Sequence, residues 1–462
     1  MASKKSIRRF MIASPCSNSG KTLFTCALMN LLNRKMGVAA FKCGPDFIDP
    51  LFHKKVLGLS SVNLDGYFDL ENDLLQLFLE ESSEEKISVI EGAMGFFDGL
   101  GGTSLQASCY DVAKTTKTPV LLVVDARGAS RSLCATIKGF LDYGRKNLIK
   151  GVFLNKVSKS FYPLLKNMIE KECGVKVLGC LPFDGRLSWG SRHLGLVLPN
   201  EIQDFKSQID FASDLLKESL DEESLLKIAS DACKLKKIHS NHFEKALAEK
   251  KYDGLKIGLA YDDAFCFYYK KNISLIEEAG ATVKYFSPVN DKALPDVDAI
   301  IIGGGYPELY AAKLQENVSM RKAICDAVER NIPLLAECGG FMYLQKEILC
   351  QDGISYKMCG AIDGESFYTG KLVRFGYAKY TSKDSRFEIK GHEFHYFESS
   401  NNGEDFTSEK PSGKQKHPCV VRYKNVLAGF PHLYYNSCHE FLESFLDKAV
   451  EVKALRKVRD ER

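Results

Sequence analysis

Ser14-Pro15-Cys16-Ser17-Asn18-Ser19-Gly20-Lys21-Thr22 is the stretch whose reading decides the fold of the first half of this chain. An apolar run at residues 10–13 precedes it, and Leu23, Phe24, Leu28, Leu31 and Leu32 follow at helical spacing. A strand, a tight loop ending Gly-Lys-Thr and a helix make a phosphate cradle. Loop amides point at the anion, and the helix N-terminus adds partial positive charge. Ser19 and Gly20 belong to that cradle, Lys21 can reach terminal phosphates, and the Thr22 hydroxyl can ligate Mg²⁺. Pro15 stands where the usual motif has its first glycine.

Outward from the loop, short apolar runs alternate with helical stretches. The runs fall at residues 10–13, 38–42, 87–90, 120–124, 151–154 and 177–181. Val120-Leu-Leu-Val-Val124 is apolar without a break, the habit of a strand covered on both faces in a parallel sheet. Residues 1–200 therefore read as a doubly wound α/β domain with ligands at the carboxyl ends of its strands. Those ends carry acids: Asp46 and Asp49 after the second run, Glu91 and Asp98 after the third, and Asp125 after the fourth. Carboxylates beside a phosphate loop suit Mg²⁺, which takes hard oxygen ligands. Each Asp also suits a turn or a helix cap. Glu91 and Asp98 stand among glycines that let a backbone approach a ligand, which favours a functional reading. Asn155 could meet a base or cap a turn.

Residues 201–250 read as helices linking two domains, because 204–249 is rich in Leu, Ala, Lys and Glu without Gly or Pro. Residues 251–450 restart an α/β pattern, and 451–462 read as a basic tail. In the second half, Ile332-Pro-Leu-Leu-Ala336 runs into Glu337-Cys338-Gly339-Gly340, followed by a helical pattern. This is the shape of a nucleophile elbow, where glycines permit a strained backbone and a helix N-terminus is expected to depress the thiol pKa. Cys338 is the expected nucleophile. Its base is open on spacing alone: His395 in Gly391-His-Glu-Phe-His-Tyr-Phe397 and His432 in Leu427-Ala-Gly-Phe-Pro-His432 both qualify. Alternation in the first of these puts Glu393 and His395 on one face.

Composition excludes several classes. The 462 residues argue for two or three domains. A net charge of +4 among 63 basic and 59 acidic side chains gives no case for nucleic acid. No apolar run approaches the roughly 20 residues that span a bilayer. Fifteen cysteines without framework spacing point to a reduced, cytoplasmic chain with no zinc site.

Taken together the motifs resemble the cobyrinate a,c-diamide synthase family of corrin biosynthesis. The resemblance rests on residues 17–22, 42–50, 91–99, 192–196, 263–269, 303–309, 337–344 and 391–396, in that order along nearly the whole chain. It implies a P-loop, dethiobiotin-synthetase-like domain joined to a class I glutamine amidotransferase domain. It places the base on His432 and the oxyanion hole on Gly304 and Gly305. It puts Asp46, Phe47, Glu91 and Asp98 at the acyl-phosphate and substrate centre, with Mg²⁺ held by Thr22, Asp46 and Glu91. Many class I glutaminases carry a carboxylate two residues after the histidine, where this chain has Tyr434. The implied reaction is ATP- and L-glutamine-dependent amidation of two carboxylates of a corrinoid, c then a, with an enclosed route for ammonia. A nickel-sirohydrochlorin a,c-diamide synthase shares these motifs. A partition-type ATPase switch would share the first domain alone, and Cys16 stands where such switches carry a second lysine. A homodimer remains a candidate assembly.

Overall fold

The computed structural model describes residues 4–144, 146–187, 202–236 and 250–460. The chain divides into two compact units, Met1–Ser240 and Asn241–Arg462. Arg192 and His193 lie outside the described residues.

Seven parallel strands build the first unit. They are β1 (Arg9–Ala13), β2 (Val38–Cys43), β3 (Ser61–Leu64), β4 (Ile87–Glu91), β5 (Val120–Asp125), β6 (Ile149–Asn155) and β7 (Lys176–Leu181), in spatial order β3-β2-β4-β1-β5-β6-β7. The winding reverses around β1, so the loops after β1, β4 and β5 converge on one crevice at the carboxyl ends. Six strands coincide with the apolar runs to within two residues. The seventh, Ser61-Val-Asn-Leu64, is an edge strand with two polar residues in four, and no periodicity announces it.

Alternate side chains point to opposite faces of the sheet. Phe10, Ile12, Val89, Leu121, Val123 and Phe153 pack on one face against Phe24 and Leu28 of α1 (Lys21–Met36). Met11, Ala13, Leu122 and Val124 pack on the other against Leu133, Ile137, Leu165 and Ile169. Of the stretch expected to link domains, residues 237–249 lie outside the described residues, while the helices described before them pack on the first sheet. Ala212 and Leu216 of α2 (Ile202–Lys217), with Leu225 and Ala229 of α3 (Glu222–Ser230), join the same core as α1. Their Leu and Ala positions cover sheet area that α1 leaves open, so both helices belong to the first unit. Arg9 secures the chain beyond α3. Its buried guanidinium donates to the carbonyls of Ile7, Thr116, Lys117 and Cys233 at 2.7–3.1 Å, and burial lowers its pKa to about 10.

The second unit holds a six-stranded sheet built from β8 (Lys256–Ala260), β9 (Thr282–Phe286), β10 (Ala299–Ile302), β11 (Leu334–Glu337), β14 (Val421–Tyr423) and β15 (Val426–Gly429). Their order is β9-β8-β10-β11-β15-β14, parallel except for β14. An antiparallel sheet contains β12 (Arg374–Ser382), β13 (Glu388–His395) and β16 (His432–Leu433). The expected tail from 451 is largely helical. The helix His439–Asp460 runs through it, burying Val452, while Lys453 pairs with Asp298 at 3.0 Å.

Candidate active site

Two separate constellations stand at strand ends, one in each unit. In the first, the loop after β1 is tied inward by its own side chains. The Ser14 and Ser19 hydroxyls each donate to the Cys16 carbonyl at 2.9 Å. Gly20 sits at φ +80°, and a Cβ there would fall 2.1 Å from Asn155 Nδ2. Asn155 is buried and donates from that nitrogen to the Ser19 carbonyl at 2.8 Å. Beyond the two roles left open for Asn155, its Nδ2 clamps the phosphate loop, while its Oδ1 accepts from the Lys156 amide at 3.1 Å. The Pro15 carbonyl lies 2.6 Å from where a Cβ of Gly95 would stand. The Phe96 amide donates to the Ser14 carbonyl at 2.9 Å. The loop after β4 is thus stitched to the phosphate loop, and Pro15 is part of that seam.

Glu91 is the centre of this site. Its carboxylate is fully buried. Oε1 accepts from the Thr22 hydroxyl at 2.9 Å and lies 3.4 Å from Lys42 Nζ. Oε2 accepts from His53 Nε2 at 2.8 Å, and His53 Nδ1 is hydrogen-bonded to the Ser61 hydroxyl at 2.7 Å. Burial would raise the Glu91 pKa, but Lys42, His53 and Lys21 outweigh it and hold the carboxyl well below the ordinary range. Lys42 is buried too, and donates to Asp49 with Asp46 Oδ2 at 3.6 Å. Burial opposes its charge, and the carboxylates of Asp49, Glu91 and Asp46 prevail, raising its pKa well above the usual lysine value. Asp46 is partly exposed and accepts from the Ile48 amide at 2.7 Å. Asp98 accepts from the Gly95 amide at 2.9 Å. Phe47 is buried. Among the described residues no three His, Cys, Asp or Glu side chains form a metal cluster. The Thr22–Glu91 oxygen pair nonetheless fits Mg²⁺, which needs few protein ligands when phosphates and waters complete its shell. Asp125 is engaged elsewhere, with Lys156 at 2.8 Å.

In the second unit, Cys338 joins β11 to α4 (Gly339–Leu344) with φ +48° and ψ −105°. Such a backbone costs on the order of 1–3 kcal/mol, and the surroundings must enforce it. They do so through the Cys338 amide, which donates to the Gly429 carbonyl at 2.8 Å, and the Gly340 amide, which donates to Gly303 at 3.0 Å. A Cβ at Gly340 would stand 2.1 Å from the Ile302 carbonyl oxygen, so the glycine is obligatory. A Cβ at Gly304 would fall 2.3 Å from His432 Cε1 and 3.3 Å from Cys338 Cβ. This glycine thus leaves room for the His432 ring and the Cys338 side chain on its two sides. Gly305 N lies 3.2 Å from the Cβ position of Gly339, beside the elbow where an oxyanion would be held. His395 is turned away: its Nε2 pairs with Glu393 at 3.1 Å, its Nδ1 faces the Phe397 carbonyl at 2.6 Å, and its ring stacks on Phe430. Glu393 and His395 share a face, as their spacing requires.

The thiol does not have the depressed pKa expected of an elbow. Burial, then the charge of Glu308, push Cys338 well up against the Gly339 amide. Burial, aided by His392 and His395, holds His432 well below its ordinary value. Both shifts favour the uncharged form of each group, thiol and imidazole.

Residues 10–197 match the CobQ/CobB/MinD/ParA nucleotide binding domain, and residues 256–439 match the CobB/CobQ-like glutamine amidotransferase domain. The cobyrinate a,c-diamide synthase of Caldanaerobacter subterraneus subsp. tengcongensis is 39% identical over 455 residues, covering 96% of this chain and 98% of its own length. The chain belongs to the cobyrinate a,c-diamide synthase family. Members from Clostridium tetani and Picrophilus torridus are 38% and 35% identical, each over 96% of this chain and 100% of their own.

Within this family frame, two buried partners escape a reading of the sequence. Lys42 lies inside a quoted motif but carries no signal beyond its charge. His53 stands between Leu51-Phe52 and Lys54-Lys55 with no ligand spacing. Both become legible only once β2 and the segment after it pack beside Glu91.

Proposed function

We propose that this chain amidates the a- and c-carboxylates of cobyrinate, using ATP and glutamine. The observation that carries the reading is the pairing of a phosphate loop hydrogen-bonded to a buried acid with a strained Cys338 elbow beside His432. A carboxylate does not accept ammonia unaided, because its oxygen is a poor leaving group. Attack of that oxygen on the terminal phosphorus of ATP gives an acyl phosphate and ADP. Ammonia then attacks the acyl carbon, and inorganic phosphate departs.

In the first unit, Ser19, Gly20 and Lys21 bind the triphosphate. Thr22 and Glu91, with Asp46, would hold Mg²⁺, which would supply charge neutralisation at the phosphates. Asp46, half-buried, and Asp98, exposed, position the substrate carboxylate. Phosphoryl transfer asks mainly for alignment and electrostatics, and Lys21 and Lys42 provide fixed positive charge. Phe47 contributes packing from its buried place and not an exposed platform.

In the second unit, Cys338 Sγ attacks the glutamine side-chain carbonyl carbon while His432 takes the thiol proton. The oxyanion is received by backbone amides of the Gly304–Gly305 segment. His432 returns the proton to the departing nitrogen, ammonia leaves, and water hydrolyses the thioester to glutamate. Loss of one oxyanion donor typically costs about 3 kcal/mol.

The test is mass spectrometry of cobyrinate incubated with protein, ATP, Mg²⁺ and glutamine. Two successive replacements of a carboxylate by an amide are expected, with one ADP and one glutamate each. Amidation of nickel-sirohydrochlorin with cobyrinate untouched would replace the substrate assignment. ATP turnover without amidation of either tetrapyrrole would overturn the reaction itself.

A further inference from the structure

The motif Gly391-His-Glu-Phe-His-Tyr396 is not used by the mechanism above, yet it lies against the proposed base. Antiparallel pairing of β13 with β16 sets His392 directly opposite His432. The two imidazoles stack with centroids 5.0 Å apart and planes 22° from parallel. Both are buried. His392 Nδ1 is hydrogen-bonded to the Tyr269 hydroxyl at 2.8 Å. Tyr269 in turn meets the ring of Tyr434 edge-on at 5.5 Å. At its Cε1 edge the His432 ring abuts Gly304, and the Phe267 ring lies 6.2 Å away at a 56° tilt.

Tyr434 occupies the position two residues beyond the histidine where many class I glutaminases have a carboxylate. A carboxylate there fixes the imidazole plane through a hydrogen bond and adds negative charge. A face-to-face ring fixes the same plane by packing, and adds none. We infer that His392, held by Tyr269, is a positioning residue of the glutaminase centre, setting the plane of the His432 ring by stacking. This inference rests on the reading of Cys338 and His432 as the thiol–imidazole pair.

Among the described residues, the titratable groups acting on His432 are His392, His395 and Glu393 from β13, with Cys338 across Gly304. Burial and His392 both disfavour its protonation. Truncating His392 opens one face of His432 to water and removes a neighbouring imidazole, so the acid limb of glutamine hydrolysis should move to higher pH.

The experiment compares His392→Ala, His392→Phe and Tyr269→Phe in the full chain. It reads glutamine hydrolysis against pH and, in parallel, amidation driven by ammonium. His392→Ala is expected to lower kcat for glutamine by roughly 100-fold, the typical cost of a misplaced catalytic group, with KM within about threefold on the same argument. Its acid limb should rise, and ammonium-driven amidation should persist. His392→Phe restores a flat ring and should recover about tenfold of that loss, since orientation and not charge is being repaired. Tyr269→Phe should fall between wild type and His392→Ala. A His392→Ala variant within twofold of wild type overturns the inference. So does a phenylalanine variant no better than alanine, or an equal loss of ammonium-driven activity. Unchanged glutamine hydrolysis in Cys338→Ala would instead sink the underlying thiol–imidazole reading, whatever the His392 variants do.

Discussion

The Thr22 hydroxyl donates a 2.9 Å hydrogen bond to Glu91 Oε1, joining the first turn of α1 to the end of β4. Sixty-nine residues separate them in sequence. The bond puts the last residue of the phosphate loop on the carboxylate that Lys42 and His53 hold ionised. Nucleotide binding and the acid cluster are therefore one site.

That unity makes the two halves of the reaction separable by mutation. Lys21→Ala should abolish ATP-dependent amidation with either nitrogen source, while glutamine hydrolysis by the second unit continues. Cys338→Ala should do the reverse, losing glutamine use and keeping amidation with ammonium. Parallel assays of ADP, glutamate and amide product check both. A Lys21→Ala variant with undiminished amidation would remove the phosphate-loop assignment.

Lys42→Met tests the buried cluster. It leaves Glu91, Asp49 and Asp46 without their shared cation, and stranding buried charge typically costs about 3–5 kcal/mol. Urea unfolding should show a loss of that order, together with loss of ammonium-driven amidation. Within the cluster, Glu91 acts on the acid side of the stability profile. Glu91 is held below its unfolded value, so its contribution is complete above the ordinary glutamate pKa of about 4.3 and drains as pH falls below it. Glu91→Gln should flatten that acid limb.

Gly20 tests the clamp. Its left-handed φ and the 2.1 Å approach of Asn155 leave no place for a methyl group. Gly20→Ala should weaken nucleotide binding sharply by displacing Asn155 or the loop. Asn155→Ala leaves the Ser19 carbonyl without its donor and should weaken it less, by about 1–2 kcal/mol for one lost buried hydrogen bond. Calorimetric titration with ATP orders the two. Equal affinities in Gly20→Ala and wild type would show that the loop relaxes freely.

What could be read in the sequence follows from where chemistry fixes residue type. Gly-Lys-Thr, Glu91 and the elbow at Cys338 are legible because a phosphate, a metal-favouring crevice and a strained turn each demand particular side chains at short spacing. Lys42 and His53 were hidden because their role is set by which strands become neighbours. The Cys338 pKa departs from the expectation of an elbow for a related reason. A helix N-terminus is visible in a sequence, whereas burial and a nearby Glu308 are not, and here they dominate. The region from 345 to 425 holds many strands of only three or four residues and of mixed polarity, too short for local periodicity to reveal them.

Glu337, immediately before the nucleophile, gives a pH prediction of opposite sign to Glu91. Burial pushes its pKa up to about 8, although the Tyr435 hydroxyl donates to Oε1 at 3.0 Å. A carboxyl raised in the fold is protonated there while the unfolded chain, near 4.3, is ionised. Its stabilising share is therefore present in full below about 4.3 and is lost as pH rises toward 8. Glu337→Gln keeps the shape and an acceptor for Tyr435 but cannot ionise. The variant should match wild type in stability near pH 5 and exceed it at pH 8.5, with a flatter profile between. Thermal unfolding across that range checks it. A wild-type profile that stays parallel to the variant's from pH 5 to 8.5 would mean that Glu337 is already ionised in the fold, and that Cys338 sits beside a buried negative charge.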